Sequence, residues 1–569
     1  MNLLKKEVIT MSLPEKYHWV TPTPSNYHTP LSIILDRRHQ DGHFIHPEFN
    51  TVHDPWLLHD MKPAIHRIHQ ALDHHEKITI YGDYDADGIT STTVMYTTLK
   101  LLGANVHYYV PNRFKDGYGP SKPAYQRIVN DGTTLLITVD NGVSGKEVID
   151  PIVNSSNLDV IITDHHELPD QLPNTPVAIV HPRYPGTTYP FGDLSGVGVA
   201  FKVAWALLGT FPAPLLDLVA IGEIADVVSV TDENRYLIQQ GLKAIQLGIR
   251  PGIRLLTQIT GLAGCPITST DVGFTVAPRL NALGRLSDAS LGVQLLATND
   301  LQQATKLVNR LEELNGTRQY LVKQITQQAQ LQAQAPENQT NPILLINGHN
   351  WHQGVLGIVA SNLMDEFNKP TIVVSQTDGQ NYAKGSGRSF TGFDLYQALD
   401  PHRDLMVSFG GHLGACGLSI DLNQAPALQT ALNQAANDQG FDPATTQPDL
   451  NIDLVTTQPQ SLTTDLYKAL APLNPYGPGN LEPHIELQGV LIDQVQTMGQ
   501  NNEHLKLIIG NLTIVAFNWG KYAGNFHDDM HTKYDLVGTL NLNRWRGQES
   551  IQLLLIDARE SRDQTWGQI

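Results

Sequence analysis

The sequence contains little cysteine and no long apolar run. Only two cysteines, Cys265 and Cys416, occur in 569 residues, which excludes a disulfide framework and a cysteine-based zinc site and fits a reducing cytoplasm. Because no stretch of 18 or more apolar residues occurs, we expect no membrane-spanning helix. The first twenty residues lack the features of a signal peptide, so we expect a cytoplasmic protein that starts at Met1 or Met11.

Basic residues are also scarce. The chain has 38 Lys and Arg against 56 Asp and Glu, a net charge of −18, which argues against a non-specific nucleic-acid coat. A nucleic-acid enzyme is still compatible, because clustered aspartates that hold divalent cations lower the formal charge without repelling the substrate once the metals are bound. With 41% hydrophobic and 17% charged residues, the chain is neither disordered nor a coiled coil. Its length suggests roughly three or four domains.

Strand and helix patterns alternate from Lys77 onward. Short apolar runs with β-branched residues predict buried strands at 77–81, 134–140 and 159–164, with helical patterns between them. This alternation is typical of βαβ units, so we expect a parallel sheet covered by helices on both faces. A helical region is predicted next, over 195–250.

The second half of the chain contains a long helix, a smaller α/β block and a β-rich end. An apolar stripe predicts one helix over 301–334, which we expect to be a strut between two domains. After a linker, two strands surround a helix predicted over 355–367. Five or so short alternating runs from His484 onward predict a small β-barrel of the oligonucleotide-binding type.

The segment YGDYDADGIT places Asp83, Asp85 and Asp87 directly after a predicted strand. Open α/β sheets bind ligands at the carboxyl ends of their strands, so we interpret this segment as a metal site. A calcium EF-hand is excluded, because the twelfth position is Val94 rather than Glu and a strand precedes the motif. The alternative is a polar turn without function, but three mutually repelling carboxylates bring no advantage to a turn.

Two further predicted strands end in aspartate. Asp140 follows one strand, and Asp164, His165 and His166 follow the other. A single aspartate at a strand end is as often a helix cap as a metal ligand. Three neighbouring strands that all end in aspartate, however, bring these side chains together. Carboxylates with one or two imidazoles favour Mn²⁺ or Mg²⁺ over tetrahedral zinc. Asp226, in an apolar helical stretch, is either a helix-end aspartate or a buried carboxylate that needs a cation.

This set of residues indicates a reaction class. Two cations about 3.5–4 Å apart activate a water and hold the attacking and leaving oxygens of an in-line displacement at phosphorus. The residues therefore predict a two-metal phosphoester or phosphoanhydride hydrolase. They do not choose its substrate.

The motifs GDYDADG, VDNG, DHH and ADVV, in this order, resemble those of the DHH phosphoesterases. Further segments are similar to the RecJ-type exonucleases of that superfamily: PNRFKDGYG (111–119), LSGVGVAFK (194–202), APRLNALGR (277–285), GSGRS (385–389) and GGHLGACG (410–417). The resemblance runs from about residue 60 to residue 483 and is weaker in the C-terminal β-rich region. It implies a single-strand-specific 5′→3′ exodeoxyribonuclease that releases 5′-mononucleotides in DNA repair and recombination.

The resemblance also implies roles for individual residues. Two divalent ions, Mn²⁺ or Mg²⁺, would be held by Asp83, Asp85, Asp87, Asp140, His165 and Asp226. Asp140 is the expected bridging carboxylate. The residues implied in catalysis are Asp85, Asp140, His165, His166 and His412. Those implied in substrate binding are Arg113, Tyr118, Arg279, Asn281, Arg285, Ser386 and Arg388.

Arg113, Ser386 and Arg388 resemble the family's pocket for a terminal 5′-phosphate. Guanidinium groups bind phosphate oxygens bidentately, and we expect GSG to let backbone amides approach the anion. GGHLGACG is expected to be a substrate-facing loop, with His412 at the scissile phosphate or buried structurally. Arg113 is alternatively an exposed loop arginine, and Arg279, Asn281 and Arg285 are alternatively solvated on a helix face. Tyr81 stands where many members have His, so the first ion would rely on Asp83 instead.

The resemblance gives the fold class as two α/β domains, a DHH-type parallel sheet and a DHH-associated domain, joined by a long helix and followed by an OB-like β-barrel. The expected divisions are an N-terminal extension (1–60), the DHH catalytic domain (61–250), a helical connector (251–340), the DHH-associated domain (341–425), a second connector (426–483) and the OB-like domain (484–569). The OB-like domain contains aromatic and basic residues that could bind a single strand: Phe517, Trp519, Arg544, Trp545 and Arg546. The alternative is that the aromatic residues fill the core.

We expect a monomer that binds single-stranded DNA, does not bind membranes, and has a single-strand-binding protein and a helicase as partners. One alternative is a DHH hydrolase of short oligonucleotides, cyclic dinucleotides or pyrophosphate. The third domain and the strut argue against it, because small substrates need neither. The other alternative is a non-catalytic scaffold, but relatives of that kind usually lose metal ligands, and here the carboxylate set is complete.

Overall fold

A computed structural model describes residues 13, 16–443, 445–529, 531–545 and 548–561 of the chain. Within them, the strands form one two-stranded, two five-stranded and one seven-stranded sheet. The fold is mixed α/β with a β-rich C-terminal region, as predicted. Among the helices of these residues, none combines the length and apolar character needed to cross a bilayer.

The N-terminal region, for which the sequence gives few signals, packs against residues near the C-terminus. Its elements are β1 (His18–Val20), α1 (Pro30–Arg37), α2 (Gly42–Ile45) and the 3₁₀ turns Phe49–Thr51 and Pro55–Leu57. Trp19 Nε1 donates a hydrogen bond to Asp557 at 2.9 Å, and the Arg559 guanidinium lies over the Trp19 ring at 4.0 Å. This region therefore contacts the C-terminal sheet.

The first α/β unit contains a five-stranded, all-parallel sheet. Its strands are β2 (Lys77–Tyr81), β3 (Asn105–Tyr109), β4 (Leu135–Val139), β5 (Asp159–Thr163) and β6 (Ala178–Val180), in the order β3-β2-β4-β5-β6. Its helices are α3 (Met61–Asp73), α4 (Ala86–Leu101), α5 (Lys122–Asn130) and α6 (Lys146–Ser155). Strand β4 is buried along its whole length, because helices cover both faces. The three strands that end in aspartate are neighbours, which confirms the predicted convergence.

A helical region, predicted over 195–250, continues to Ala297 and packs on one face of this sheet. It contains α7 (Gly196–Leu208), α8 (Leu216–Ala225), α9 (Asp232–Leu247), α10 (Pro251–Ile259), α11 (Ser269–Asp271), α12 (Ala277–Leu286) and α13 (Ser290–Ala297). A 3₁₀ turn at Ala213–Leu215 precedes α8, and a π-helical turn at Val272–Val276 leads into α12. These helices share one apolar core with the sheet.

The predicted long helix is confirmed as α14 (Leu301–Ala333). At 1.5 Å per residue it is about 50 Å long. The buried residues of its first half, including Leu311 and Leu314, belong to the core of the first unit. Those of its second half, including Ile325 and Ala329, belong to a core of the second unit. The helix is thus a strut that is also part of two cores.

The second α/β unit has a mixed five-stranded sheet. Its strands are β7 (Leu344–His349), β8 (Thr371–Gln376), β9 (Ala383–Arg388), β10 (Ser408–His412) and β11 (Ala415–Ile420), in the order β10-β11-β9-β8-β7. Its helices are α15 (Pro336–Gln339), α16 (Leu356–Phe367), α17 (Leu395–Leu399) and α18 (Ala425–Asp438), with 3₁₀ turns at Gln353–Val355, Asp400–Leu405 and Leu422–Gln424. Only β7 and β8 pair in parallel.

Two expectations about this unit are wrong. GSG lies inside β9, which pairs with β8 on one side and β11 on the other, so the strand ladders occupy backbone amides that we expected to approach an anion. Its glycines serve packing instead, because a Cβ at Gly387 would lie 2.6 Å from Cys416 Sγ. GGHLGACG is not a loop but the β10–β11 hairpin.

The C-terminal sheet has seven strands rather than five. The strands from here on are β12 (Asp449–Asn451), β13 (Leu454–Thr456), β14 (Ile485–Val490), β15 (Gln494–Met498), β16 (His504–Ile509), β17 (Leu512–Ala516), β18 (Tyr534–Trp545) and β19 (Gln548–Glu560). The sheet order is β13-β14-β18-β19-β17-β16-β15, and β12 pairs with β1. Helix α19 (Thr464–Leu470) and 3₁₀ turns at Pro459–Ser461, Ala471–Leu473 and Gly520–Asn525 complete the region.

The two strands that the sequence did not predict have weak signals. Strand β13 is three residues long, and β15 is polar apart from Val495 and Met498. The segment 426–483, which we expected to be a connector, contributes most of α18 to the second unit and β13 to the C-terminal sheet.

The aromatic residues of the C-terminal sheet divide between surface and core. Phe517 is 57% exposed, whereas Trp519 is buried in the apolar core. Arg544 donates to Glu549 at 3.1 Å. Arg546 and the side chain of Trp545 lie outside what the structure describes. Phe517 therefore fits the strand-binding interpretation, and Trp519 fits the core interpretation.

Candidate functional site

The predicted ligand residues meet at the carboxyl edge of the first sheet. Asp83, Asp85 and Asp87 lie between β2 and the first turn of α4, Asp140 follows β4, and the two histidines follow β5. Three overlapping groups have ligand atoms within 4.8 Å of one another: Asp83, Asp85 and Asp140; Asp87, His165 and Asp226; and Asp140, His165 and His166. Four separate segments thus supply one cluster of oxygen and imidazole donors.

The first motif is held by backbone hydrogen bonds. Asp85 is the N-cap of α4, and its carboxylate accepts from Gly88 N–H at 2.9 Å. Asp87 reaches the N-terminus of α7, where its two oxygens accept from the N–H groups of Gly196 and Val197 at 2.7 and 2.9 Å. Helix N-termini favour carboxylates, so LSGVG positions Asp87. The sequence did not reveal this contact.

Like Asp83 and Asp87, Asp140 is almost fully buried in the cluster. Its backbone has a φ of +62°, in the left-handed region that non-glycine residues rarely adopt. Its carboxylate lies 3.1 Å from His165 Nε2. A Cβ at Gly196 would lie 2.5 Å from Asp140 Oδ1, so this glycine allows α7 to approach closely. The neighbouring Asn141 donates to the carbonyls of Gly82 and Val139 and thereby ties β2 to β4.

Asp164 organises the histidine pair. It accepts from the backbone N–H groups of His165 and His166 at 2.8 and 3.1 Å and is 2.7 Å from His166 Nδ1. Tyr118 Oη lies 2.7 Å from His166 Nε2. Although burial alone would raise the pKa of Asp164, the hydrogen bond and charge of His166 hold it well below its usual range. Asp164 was predicted to lie at this edge but was given no role, and Asn141 was not singled out, although both belong to the motifs DHH and VDNG.

Asp226 is half-buried and matches the helix-end interpretation of its position. It is the C-cap of α8, and its carboxylate also lies 3.6 Å from His165 Nε2. The next residue, Val227, has a φ of +62° and is 65% exposed. A β-branched residue in this region is strained. Strain of this kind is common beside functional sites.

The electrostatics of the cluster favour cations. Burial and then the charge of Asp85 raise the pKa of Asp83 to about 8 and that of Asp87 to about 7. Burial and the charges of Asp87 and Asp85 raise the pKa of Asp226 to about 8, and burial with its carboxylate neighbours raises that of Asp140 well above its usual range. Such carboxylates are expensive to ionise together unless a cation lies among them.

The donor atoms fit Mn²⁺ or Mg²⁺. Asp83 Oδ1 is buried and has no hydrogen-bond partner within the described protein. Burial, and then the neighbouring His166 charge, lower the pKa of His165 to about 3, so its imidazole is neutral and able to ligate. Hard oxygen donors with one imidazole suit these ions. The Tyr81 hydroxyl donates a hydrogen bond to the Gly119 carbonyl at 3.0 Å. Gly119 belongs to none of the three ligand groups, so Tyr81 points to a different partner.

A basic cluster lies beside the acidic edge. Arg113 stacks over the Tyr84 ring at 4.3 Å, and its buried Nε has no partner within the described protein. Arg388 donates to Ser386 Oγ at 2.8 Å. Burial, and then the charges of Arg113 and Arg388, lower the pKa of Arg285 to about 10. Three arginines from three segments therefore come together.

The other predicted substrate residues have defined partners. Arg279 forms an ion pair with Glu312 at 2.8 Å, and Asn281 Oδ1 accepts from Ala86 N–H at 2.8 Å. Arg285 donates to the Gly354 carbonyl at 3.1 Å. The solvated alternative is therefore wrong for these three residues. His412 is exposed on the edge strand β10, so the buried alternative is wrong for it.

Comparison with known proteins agrees with these motifs. Three family models match: the DHH family N-terminal domain over residues 77–223, the DHHA1 domain over residues 332–438 and the RecJ OB domain over residues 452–557. The crystal structures of RecJ from Thermus thermophilus in complex with Mn²⁺ and with Mg²⁺ give TM-scores of 0.78 and 0.75. Their sequence identities are 28% and 27%, and the matches cover 94% and 96% of this chain and 76% and 79% of the others.

Two relatives are named single-stranded-DNA-specific exonuclease RecJ. The Haemophilus influenzae protein is 35% identical over 92% of this chain and 95% of its own length. The Bacillus subtilis protein is 40% identical over 91% of this chain, which spans 66% of that longer relative. The chain therefore belongs to the RecJ family of the DHH superfamily.

Proposed function

We propose that this chain is a metal-dependent exonuclease that degrades single-stranded DNA from its 5′ end and releases 5′-mononucleotides, in DNA repair and recombination. The observation that carries the proposal is the cluster of carboxylates and imidazoles at one sheet edge, beside a cluster of arginines. The names of the relatives support the choice of single-stranded DNA among phosphoester substrates.

The acidic edge would hold two divalent ions, Mn²⁺ or Mg²⁺. The residues that we propose as ligands are Asp83, Asp85, Asp87, Asp140, His165 and Asp226. Bound there, such ions supply Lewis-acid activation of a water and stabilise charge that develops on the phosphate. Asp140, which belongs to two of the ligand groups, is our candidate for the bridging carboxylate.

His166 is proposed to act on the phosphate itself. Although burial opposes it, the hydrogen bond and charge of Asp164 raise the pKa of His166 to about 9, so this side chain carries a proton at neutral pH. A positioned imidazolium stabilises negative charge on a phosphate oxygen. We keep His412 as a second candidate contact to the scissile phosphate, because its exposed hairpin leaves the side chain accessible.

The arginine cluster is proposed to bind the terminal 5′-phosphate. Arg113 comes from the loop after β3, Arg285 from α12, and Arg388 with Ser386 from β9 of the second unit. Residues from both α/β units thus border one anion site, and guanidinium groups match phosphate oxygens bidentately. An end-binding pocket next to the metal edge selects the 5′ end and sets the direction of degradation.

The remaining regions are given supporting roles. We propose that 61–250 forms the catalytic domain, that 251–340 connects it to the DHH-associated domain at 341–425, and that 484–569 guides the single strand. The exposed Phe517 is suited to stacking on a base. We also propose a cytoplasmic monomer that works with a helicase and a single-strand-binding protein, because an enzyme for single strands needs an unwound and accessible strand.

The direct test is degradation of a long single strand labelled at either end, with Mn²⁺ or Mg²⁺. We expect release of the 5′ label first, as mononucleotide, and little attack on the matching blunt duplex. A dinucleotide and pyrophosphate serve as parallel substrates. Turnover of the small compounds alone would refute the proposal and favour a small-substrate hydrolase.

A further inference from the structure

Helix α14 crosses the gap between the two α/β units. Its last contact with the core of the first unit is Leu314, and its first contact with a core of the second unit is Leu321. Residues 315–320 therefore bridge the two cores, beside the arginine cluster to which both units contribute. Side chains on this bridge are placed to contact a strand that lies between the units.

Arg318 occupies the inward-facing stripe of the bridge. Along α14, Leu311, Asn315, Arg318, Val322 and Ile325 follow one another at intervals of three or four residues, which places them on one side of a helix. Arg318 is half-buried, and its guanidinium donates to Asn315 Oδ1 at 2.6 Å. The hydrogen bond of this half-buried guanidinium is therefore accepted by an amide oxygen and not by a carboxylate.

The register of two helices places Arg318 near the arginine cluster. The ion pair between Arg279 and Glu312 joins α12 to α14. Both helices run from this pair toward the second unit, since Arg285 bonds Gly354 there and α14 enters its core. Arg285 and Arg318 each lie six residues beyond the pair, about 9 Å along each axis. Arg318 and Arg285 thus lie on the same side of this pair, toward the second unit.

The charges of these side chains influence one another. Burial, and then the charge of Arg279, lower the pKa of Arg318. The charge of Arg318 contributes in turn to the lowered pKa of Arg285, after burial and after Arg113 and Arg388. No carboxylate among the described residues pairs with Arg318, so its charge is available to attract a phosphate.

We infer that Arg318 binds an internal phosphate of the single strand, beyond the terminal phosphate held by Arg113 and Arg388. The inference rests on the proposed function and extends it. Residues 315–320 of α14 would then contact the bound single strand. Arg318 would then add affinity for strands of more than a few nucleotides and nothing for the shortest substrates.

A length series tests this role. Wild type and R318A are compared with Mn²⁺ on 5′-phosphorylated oligothymidylates of two to twenty nucleotides. We expect kcat/KM of R318A to fall about tenfold on a twelve-nucleotide strand, the effect of one charge-assisted hydrogen bond, and less than twofold on the dinucleotide. The salt dependence of log kcat/KM on the long strand should weaken by about 0.7, the slope of one phosphate contact.

The matched control is R310A. Arg310 lies on the same helix, is exposed and pairs with Glu313 at 3.0 Å, so this variant removes the same charge away from the gap and should match wild type at every length. R318K, which keeps the charge, should recover part of the long-strand rate. Thermal unfolding of all variants identifies any loss of folded protein.

The outcomes separate the two proposals. If wild type degrades no single-stranded DNA, the proposed function fails. If wild type is active but R318A loses rate equally at all lengths, or behaves as R310A does, the Arg318 inference alone is overturned, and the residue only supports Asn315. If R318A does not fold, R318Q decides, because it keeps a donor for Asn315 Oδ1 but removes the charge: an unchanged rate and salt slope on the long strand overturn the inference.

Discussion

The acidic edge of the first sheet and the basic cluster beside it are built in opposite ways. Most of the acidic ligands follow strands of one sheet, and backbone N–H groups fix several of them, as Gly196 and Val197 fix Asp87. The arginines come from a loop, a helix and a strand of the other unit. One unit therefore supplies the proposed metal site, whereas the proposed phosphate site takes residues from both α/β units, which α14 joins.

This difference separates chemistry from substrate choice. A sheet edge with converging carboxylates supports hydrolysis of many phosphoesters. In our proposal, the arginines restrict that chemistry to a strand with a phosphate at its end. Changes at the acidic edge should therefore abolish turnover while sparing recognition of the 5′ end. Changes in the basic cluster should remove recognition of the 5′ end while sparing metal binding.

The largest effect is expected at Asp140. D140N removes a charged ligand shared by two groups of the cluster, so we expect kcat with Mn²⁺ to fall by about a thousandfold or more. Asparagine tolerates the left-handed backbone of this position, so the variant should fold and still prefer 5′-phosphorylated strands in binding assays. D170N, at an exposed aspartate, is the control. Substantial activity in D140N would refute the ligand assignment.

A smaller effect is expected at Arg388. R388A should lower kcat/KM on 5′-phosphorylated strands by about 10- to 100-fold, the effect of losing a charged hydrogen bond, and should remove the preference over 5′-hydroxyl ends. Manganese affinity should not change. R403A, which removes an exposed arginine paired with Asp400 in the same unit, should match wild type. An R388A enzyme that keeps its end preference would contradict the pocket.

Gly387 tests whether GSG serves packing or anion binding. G387A places a Cβ against Cys416 Sγ and Leu395, so we expect the free energy of unfolding to drop by about 1–3 kcal/mol. G417A is the matched control, since a Cβ on this neighbouring strand meets nothing within 4 Å. Equal stability of the two variants, measured by denaturant unfolding, would count against the packing role.

The smallest effect is a pH dependence of the metal-free protein. Because the pKa values of Asp83 and Asp226 are raised to about 8, the folded protein holds protons that the unfolded chain releases. This stabilisation is present at low pH and is lost as pH rises through about 8. Manganese replaces those protons.

Without metal, we therefore expect the unfolding temperature to fall by several degrees between pH 6 and pH 8. The increase in unfolding temperature that Mn²⁺ causes should grow over the same range. In D140N the Mn²⁺ effect should be much smaller. A metal-induced shift that is independent of pH would show that the carboxylates are already ionised without the metal.

The acidic edge could be predicted from the sequence because its pattern is local. A strand followed by Asp83, Asp85 and Asp87, and two more strands that end in aspartate, places these residues at one edge whenever the strands are parallel neighbours. The long helix was equally predictable, since its stripe keeps one periodicity over 33 residues. Both are signalled by patterns that are local in the sequence, although distant contacts complete the structures.

The remaining features depend on distant partners that periodicity does not encode. GSG was expected to present its amides to an anion, but two flanking strands occupy that backbone. Arg318 gives no local signal, because its position matters only after α12 and α14 are aligned by Arg279 and Glu312. The arginines were identified by resemblance rather than by pattern, for the same reason.

The most direct measurement is anomalous diffraction at the manganese edge from crystals of the protein grown with Mn²⁺. We expect two peaks at the carboxyl edge of the first sheet, with Asp140 between them and the other proposed ligands around them: Asp83, Asp85, Asp87, His165 and Asp226. Peaks elsewhere, or none at this edge, would contradict the proposed metal site.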